Sequence, residues 1–271
     1  MNDTKKILKK YNLRLDKNKS QNYLIDSNKV KFILEHADIQ SDEVILEIGA
    51  GIGTLTIPMA KKAKKVIAIE KDPVICDVLR QRIIQEKLGN VELINDDALK
   101  IDFPQFDKTI SNLPYQISSP VTFKLLKYPF KKAILMYQKE FANRMQAEVG
   151  TKNYSRLTVA LYFKADCEII NIVKPNSFIP QPKVDSAIIE LTPKPVIIEN
   201  ELFPSVIRAL FQHKNKKAKK ALIESAHELN SDKKTMKKLL STIENDLFEE
   251  KVFLLTPEEI LEISDVMVNL L

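Results

Sequence analysis

Glu47-Ile48-Gly49-Ala50-Gly51-Ile52-Gly53-Thr54 is the stretch on which the reading of this chain turns. It ends the β-branched run 44–48 and opens a helical stretch over 55–64. The chain has 271 residues and five glycines, where an average usage near 7% would give roughly 19. Three of the five fall within these eight residues. A chain that otherwise avoids glycine has placed its permissive backbone at one point, where it must turn tightly or approach a ligand closely.

Working outward, apolar β-branched runs recur at 66–70, 91–95, 109–111 and 133–137. Helical spacing separates them over 73–87, 120–127 and 139–147, with Pro73 and Pro120 suited to first turns. Strand, helix, strand in repetition predicts an α/β fold with a parallel sheet covered on both faces. Two further runs, 167–173 and 186–191, are joined through Pro175 to Pro182, which predicts a long hairpin closing the sheet edge. Pro193-Lys194-Pro195 breaks the pattern. Beyond it, 202–212, 217–229, 233–243 and 257–270 read as helices, with Asp232 and Thr256 as N-caps. The division expected is an α/β domain over 1–192, led by a basic arm at 1–20, and a small helical domain over 196–271.

Composition narrows the classes. Hydrophobic residues make up 44%, charged residues 29%, and mean hydropathy is −0.18. No apolar run approaches the roughly 20 residues that cross a bilayer, and the N-terminus has no secretory pattern, so a cytoplasmic protein without membrane contact is expected. Cys76 and Cys167 are the only cysteines, which rules out a disulfide framework and a cysteine zinc site. Net charge is +6. Residues 1–20 carry seven bases against two acids, 214–220 carry five lysines and no acid, and 244–271 carry eight acids against Lys251. Two concentrated basic stretches suit nucleic acid.

The glycine turn between a first strand and its helix offers backbone N–H groups to a ligand. A dinucleotide fingerprint needs glycine at position 54, which is Thr54. Glu47 just ahead of the turn is awkward beside a diphosphate, since like charges repel. S-adenosylmethionine, with one sulfonium, one ammonium and one carboxylate, fits better. Glu70 ends the second strand, where a carboxylate can accept from both ribose hydroxyls. Asp97, after the third strand, can accept from an adenine amine while the backbone at Ala98 meets the ring edge.

Asn112-Leu113-Pro114-Tyr115 ends the fourth strand. The exocyclic amine of adenine is a poor nucleophile because its lone pair is delocalised into the ring. Two acceptors holding its N–H bonds favour a more tetrahedral nitrogen. The Asn112 side-chain oxygen is one candidate. The Leu113 carbonyl is the other, on a turn that Pro114 stiffens by keeping Leu113 extended. Tyr115 offers an aromatic face to a flipped base, and these groups would stabilise positive charge developing on nitrogen.

Gln21-Asn22-Tyr23-Leu24, Glu47 to Gly53, Ile69-Glu70, Asp97-Ala98, Asn112 to Tyr115 with Ile117-Ser118-Ser119-Pro120, and Pro180 to Ser186 come in an order that resembles the ribosomal RNA adenine N6,N6-dimethyltransferases of the kasugamycin-sensitivity type. The resemblance is dense over 20–192 and looser beyond. It implies a seven-stranded Rossmann-like methyltransferase sheet with S-adenosylmethionine as donor. It also implies dimethylation of two adjacent adenines in the 3′-terminal hairpin of small-subunit rRNA and a role in small-subunit biogenesis; the partners expected are small-subunit rRNA or a subunit precursor, met by a monomer. Asn22, Leu24, Gly49, Glu70, Asp97 and Asn112 match the family's cofactor pattern, with Gln21, Gly51 and Ala98 beside them. Asn112, Leu113, Pro114 and Tyr115 match its catalytic motif, and Phe178 matches an aromatic resembling the second wall of the base pocket. Tyr23 stands where the motif often has Phe, and Ala50 where it often has Pro. In 213–217 lysines stand where relatives tend toward arginine, which implies phosphate contact more than base reading. Lysine and isoleucine richness hints at a thermophilic or archaeal source.

Three alternatives stand beside this: a large-subunit rRNA adenine methylase, a non-catalytic ribosome-assembly factor on the same fold, and a nicotinamide-dependent reductase. Intact Asn112, Pro114, Tyr115 and Glu70 argue against the second, and Thr54 against the third. No phosphate-binding loop of NTPases, zinc-protease helix or serine-hydrolase elbow occurs.

Overall fold

A computed structural model of the chain describes residues 3–11, 13, 22–195 and 198–271. It divides into two compact units, one of 1–142 with 167–193 and one of 143–166 with 194–271.

The first unit carries the strands. A short β1 (Tyr23–Leu24) is followed by β2 (Val44–Ile48), β3 (Lys65–Ile69), β4 (Val91–Ile94), β5 (Lys108–Asn112), β6 (Lys132–Gln138), β7 (Ala165–Val173), β8 (Phe178–Ile179) and β9 (Ser186–Pro193). Seven form one sheet in the order β4-β3-β2-β5-β6-β9-β7, and β1 pairs with β8 apart from it. Pairing from β4 through β6 is parallel, and β9 runs antiparallel to β6. The β7–β9 hairpin lies at the sheet edge, with β7 outermost.

Near-continuous apolar runs suit β2 and β3 to interior places in the sheet: four consecutive side chains in each are buried, as strands covered on both faces must be. Ile45, Val66, Ala68, Ile110 and Ile134 form one core with Leu34, Met59 and Leu79. The last three come from α2 (Ser27–Ala37), α3 (Thr56–Ala60) and α4 (Pro73–Gln85). The helix α2 was not foreseen from periodicity. It starts where the Asp26 carboxylate accepts from Asn28 and Lys29 N–H and stops at left-handed Asp38. Asp72 caps α4 in the same way, with Pro73 in its first turn. The stretch 3–10, expected to be part of a basic arm, folds as α1 (Asp3–Lys10). Its Leu8 is buried with Tyr23, Ile75 and Val78, because an amphipathic face finds an apolar neighbour. Arg14, Lys17, Lys19 and Gln21 lie outside the described residues.

At the sheet end opposite the glycine turn lies an ionic cluster built around buried Glu43 and Lys108. Lys108 Nζ donates to Glu43 (2.9 Å) and to the carbonyls of Ala37 and Asp38. Lys131 bridges Glu43 and Asp107. Burial alone would raise the Glu43 pKa; the Gln40 N–H and both lysines outweigh it and hold the carboxyl below its usual range.

Continuing in chain order, α5 is Ser118–Leu125, α6 Lys139–Met145, α7 Arg156–Tyr162, α8 Phe203–Phe211, α9 Ala218–Glu224, α10 Lys233–Ser241 and α11 Pro257–Leu270. The boundary expected from sequence needs correction. Residues 143–166 were assigned to the α/β domain but belong to the helical unit. The reason is packing: Tyr154 and Val159 are buried with Phe203, Val206 and Ile260, and the Tyr154 hydroxyl donates to the Leu255 carbonyl (2.8 Å). Of the cysteines, Cys76 is buried and Cys167 half-buried.

Candidate active site

The strand order reverses between β2 and β5, and open α/β sheets bind ligands in the crevice at such a point. Backbone pairing between these strands covers only Ile45 with Lys108 and Leu46 with Thr109. Past it, the Ser111 hydroxyl accepts from Ile48 N–H (2.8 Å) in place of a backbone carbonyl. The strands thus separate without orphaning a buried donor. A cavity of about 670 Å³ opens there, lined by Asn22–Leu24 and by the loops after β2, β3, β4 and β5.

The glycine turn forms the floor. Gly49 and Ala50 N–H both donate to the Ile69 carbonyl (2.8 and 3.1 Å). Gly49 has φ +75° and Gly51 +56°, in the left-handed region. A Cβ on Gly49 would lie 2.9 Å from Pro114 Cδ. The glycine turn and the proline corner therefore touch, as only glycine permits.

Glu70 follows β3 and is 9% exposed. One of its oxygens accepts from Gly51 N–H and the other from Asp72 N–H, both at 2.8 Å. Burial raises its pKa, and these N–H groups oppose the shift. Each oxygen keeps a second lone pair for a ligand. Asp97 accepts from Leu99 N–H and from exposed Lys71, both at 3.0 Å, and the first of these is the larger cause of its lowered pKa. Ala98 is buried beside it at the cavity wall.

At the corner, the Asn112 amide nitrogen donates to the Asn22 carbonyl (3.0 Å). A carbonyl can be met only by the NH₂ end, so this bond fixes the amide's sense and leaves its oxygen as the acceptor for the cleft. The Leu113 side chain is buried, anchoring the loop, and Pro114 holds φ −59°. The Tyr115 hydroxyl is 2.6 Å from Ser186 Oγ, and Ser186 is fully buried at the start of β9. Burial raises the Tyr115 pKa, so the phenol stays neutral.

Two expectations are corrected. Glu47 does not bring negative charge to the glycine turn near neutral pH. It is buried, takes the Thr56 hydroxyl at 2.5 Å, and is pushed up to about 8 by desolvation, with Glu70 adding to the shift. Phe178 does not wall the cleft. Its partner across β1–β8 is Leu24, and both are buried in the sheet core, while strand alternation turns Tyr23 and Ile179 toward the other cluster. The remaining expected residues, Asn22, Leu24, Gly49, Gly51, Glu70, Asp97, Ala98 and Asn112 to Tyr115, line one cavity. Gln21 lies outside the described residues. Sequence reasoning missed the Asn22 carbonyl, Ser111 and Ser186. A small hydroxyl inside a β-branched strand was the available signal for Ser111.

This sheet order with its cavity is that of the Rossmann-like methyltransferases. A family model described as "Ribosomal RNA adenine dimethylase" matches residues 12–260. A protein of Methanosphaera stadtmanae, "Probable ribosomal RNA small subunit methyltransferase A", is 69% identical over 264 residues, 97% of each chain. Its counterpart of that description in Methanothermobacter thermautotrophicus is 49% identical, covering 97% of this chain and 94% of its own. Among solved structures, a dimethyladenosine transferase from Plasmodium falciparum aligns with TM-score 0.76 at 33% identity, over 90% of this chain and 96% of its own. The chain belongs to the ribosomal RNA adenine dimethylase family. The 23S rRNA methyltransferase ErmE aligns with TM-score 0.67 at 26% identity, over 90% and 98%.

Proposed function

We propose that this chain transfers methyl groups from S-adenosylmethionine to N6 of two adjacent adenines in the 3′-terminal hairpin of small-subunit rRNA, as a step of small-subunit biogenesis. The observation that carries the reading is the contact of glycine turn and proline corner inside one cavity, with the Asn112 amide fixed by Asn22. Membership of the family and the small-subunit names of its relatives support the substrate.

The lining suits the donor. With Glu47 neutral, it holds Glu70, Asp72, Asp96 and Asp97 against Lys71. A diphosphate would meet net negative charge, whereas a sulfonium and an ammonium would be stabilised. The volume falls within the roughly 300–1,000 Å³ of small-molecule sites. Glu70 would accept from the ribose hydroxyls, Asp97 from the adenine amine once Lys71 gives way, and the Gly49–Gly51 turn would let the ligand lie against backbone. When bound, S-adenosylmethionine supplies a methyl group on a sulfonium, which needs no further activation.

The chain's own residues do the rest. The Asn112 oxygen and the Leu113 carbonyl accept the two N–H bonds of the target amine and direct its lone pair. The Tyr115 ring, held by Ser186, stacks on the flipped base and stabilises positive charge on nitrogen. No base is required before transfer, since the proton on the alkylated nitrogen is acidic and leaves to water afterwards. Holding the reactants in line supplies about 7–11 kcal/mol of the barrier.

In this reading the helical unit contacts RNA and the protein acts as a cytoplasmic monomer; no described helix is long and apolar enough to cross a membrane. The likeness to ErmE favours a second reading, methylation of large-subunit rRNA. Incubation with labelled donor and separated unmodified subunits decides between them. Label on the two hairpin adenines of the small subunit is expected. Label only on the large subunit selects the second reading, and no label on either leaves a non-catalytic factor.

A further inference from the structure

Two lysine-rich segments of the helical unit differ in what their ammonium groups do. In 214–220, Lys214 donates to the carbonyls of Lys152 and Tyr154 (2.9 and 3.1 Å). Lys216 pairs with Glu224, and Lys217 and Lys219 with Glu249 (2.9 and 3.9 Å). Four of the five ammonium groups in the run that looks most basic in the sequence are thus engaged within the fold, three by carboxylates and one by carbonyls, while Lys220 is exposed.

The helix α10 is the opposite case. Lys233, Lys234, Lys237 and Lys238 are all exposed, and among the described residues none of the four side chains makes an ion pair or hydrogen bond. They form two i,i+4 pairs, about 6 Å apart along the axis, on one side of the helix. Met236 and Leu240 are fully buried and fix the lysine side outward. The helix holds no acid of its own. The nearest, Asp232, is engaged at the N-cap by Lys234 N–H, Thr235 N–H and the Thr235 hydroxyl. Like charges one turn apart weaken a helix. A face that keeps four of them without a counter-charge is complementary to a polyanion supplied from outside.

We infer that the α10 lysine face binds the phosphate backbone of rRNA without reading bases, and that the 214–220 run does not. Lysine suits this task because it meets phosphate as a point charge without a fixed fork. The inference rests on the rRNA-substrate reading above and goes beyond it by naming the surface.

The test is binding of protein-free small-subunit 3′-hairpin RNA across 50–200 mM salt, by the full chain and three variants. Replacing all four α10 lysines by Gln should flatten the slope of log affinity against log salt by about 3, since each neutralised phosphate contributes roughly 0.7–0.9. Between the two salt limits, the intact protein should then lose about 50-fold more affinity than this variant. The four-fold Lys→Arg variant should keep the original slope, which separates charge from damage to the helix. Lys217→Gln/Lys219→Gln should change the slope by less than about 1. An unchanged slope in the Gln variant, or a slope lost equally in the Arg variant, overturns the inference. So does normal naked-RNA binding with methylation lost only on assembled subunits, which would assign the face to a ribosomal protein. If the intact protein neither binds nor methylates small-subunit RNA, the substrate reading fails first; if it does both and only the variant's slope stays put, the face alone fails.

Discussion

The two ends of the parallel sheet treat charge differently. At the N-terminal ends of the strands, Glu43 is satisfied by Lys108 and Lys131, and Lys108 by Glu43 and two carbonyls. At the C-terminal ends, Glu47 has one hydroxyl and Glu70 two backbone N–H groups as partners, with no ammonium on either. Glu43, Lys108, Glu47 and Glu70 are all buried. The first set is closed and holds the fold together. The other leaves lone pairs, separated strands and a proline corner facing a cavity, so its order is aimed at something the chain does not itself contain.

That contrast can be broken at its sharpest point first. Asn112→Ala removes an acceptor without disturbing either carboxyl. Methyl transfer should fall by at least about 100-fold, as when one preorganised group is removed from a charge-stabilising site. Donor affinity by calorimetry should stay within a few-fold; near-normal turnover would contradict the assigned role. At the other end, Glu43→Gln leaves buried Lys108 facing a neutral partner. Unfolding free energy should drop by about 3 kcal/mol, read by urea titration, with donor affinity unchanged. A shift in affinity instead would mean the two ends are not separate. Glu70→Ala should raise the donor dissociation constant by about 10-fold or more, the worth of charge-assisted hydrogen bonds, while turnover at saturation changes little. Lost turnover at unchanged affinity would count against the ribose assignment.

The smallest effect depends on pH. Glu47 titrates near 8 in the fold against 4.5 ordinarily. Between these values the native state keeps a proton that the unfolded chain has released, so this group's contribution to stability falls as pH rises. Gln carries no such proton. The Tm of Glu47→Gln relative to the parent should therefore increase from pH 5 to pH 8. A flat difference would mean that Glu47 is ionised in the fold.

Much of this arrangement was legible in the residues. The runs at 44–48 and 91–95 are apolar and β-branched, and both form strands within a residue of those bounds. The cleft motifs end consecutive strands, so topology alone gathers them. What escaped was non-local. The segment 156–162 has helical spacing, but its apolar side is buried by residues from 203 onward, so its allegiance to the helical unit is invisible locally. Phe178 was misplaced because its facing direction depends on pairing with Leu24, more than 150 positions away. The charge on Glu47 and the free lysines of α10 both turn on burial and partners, which composition does not carry.

The bond from the Asn112 amide to the Asn22 carbonyl spans 90 positions and joins the corner to the residue just ahead of a two-residue strand. Such a tether can be cut while the seven-stranded sheet stays whole. A protease nicking the chain shortly after Leu24 would release the asparagine to spin about its own side-chain torsion, presenting nitrogen to the cleft as readily as oxygen. The nicked enzyme would lose the packing of Leu24 and Tyr23 along with the fixed sense of that amide.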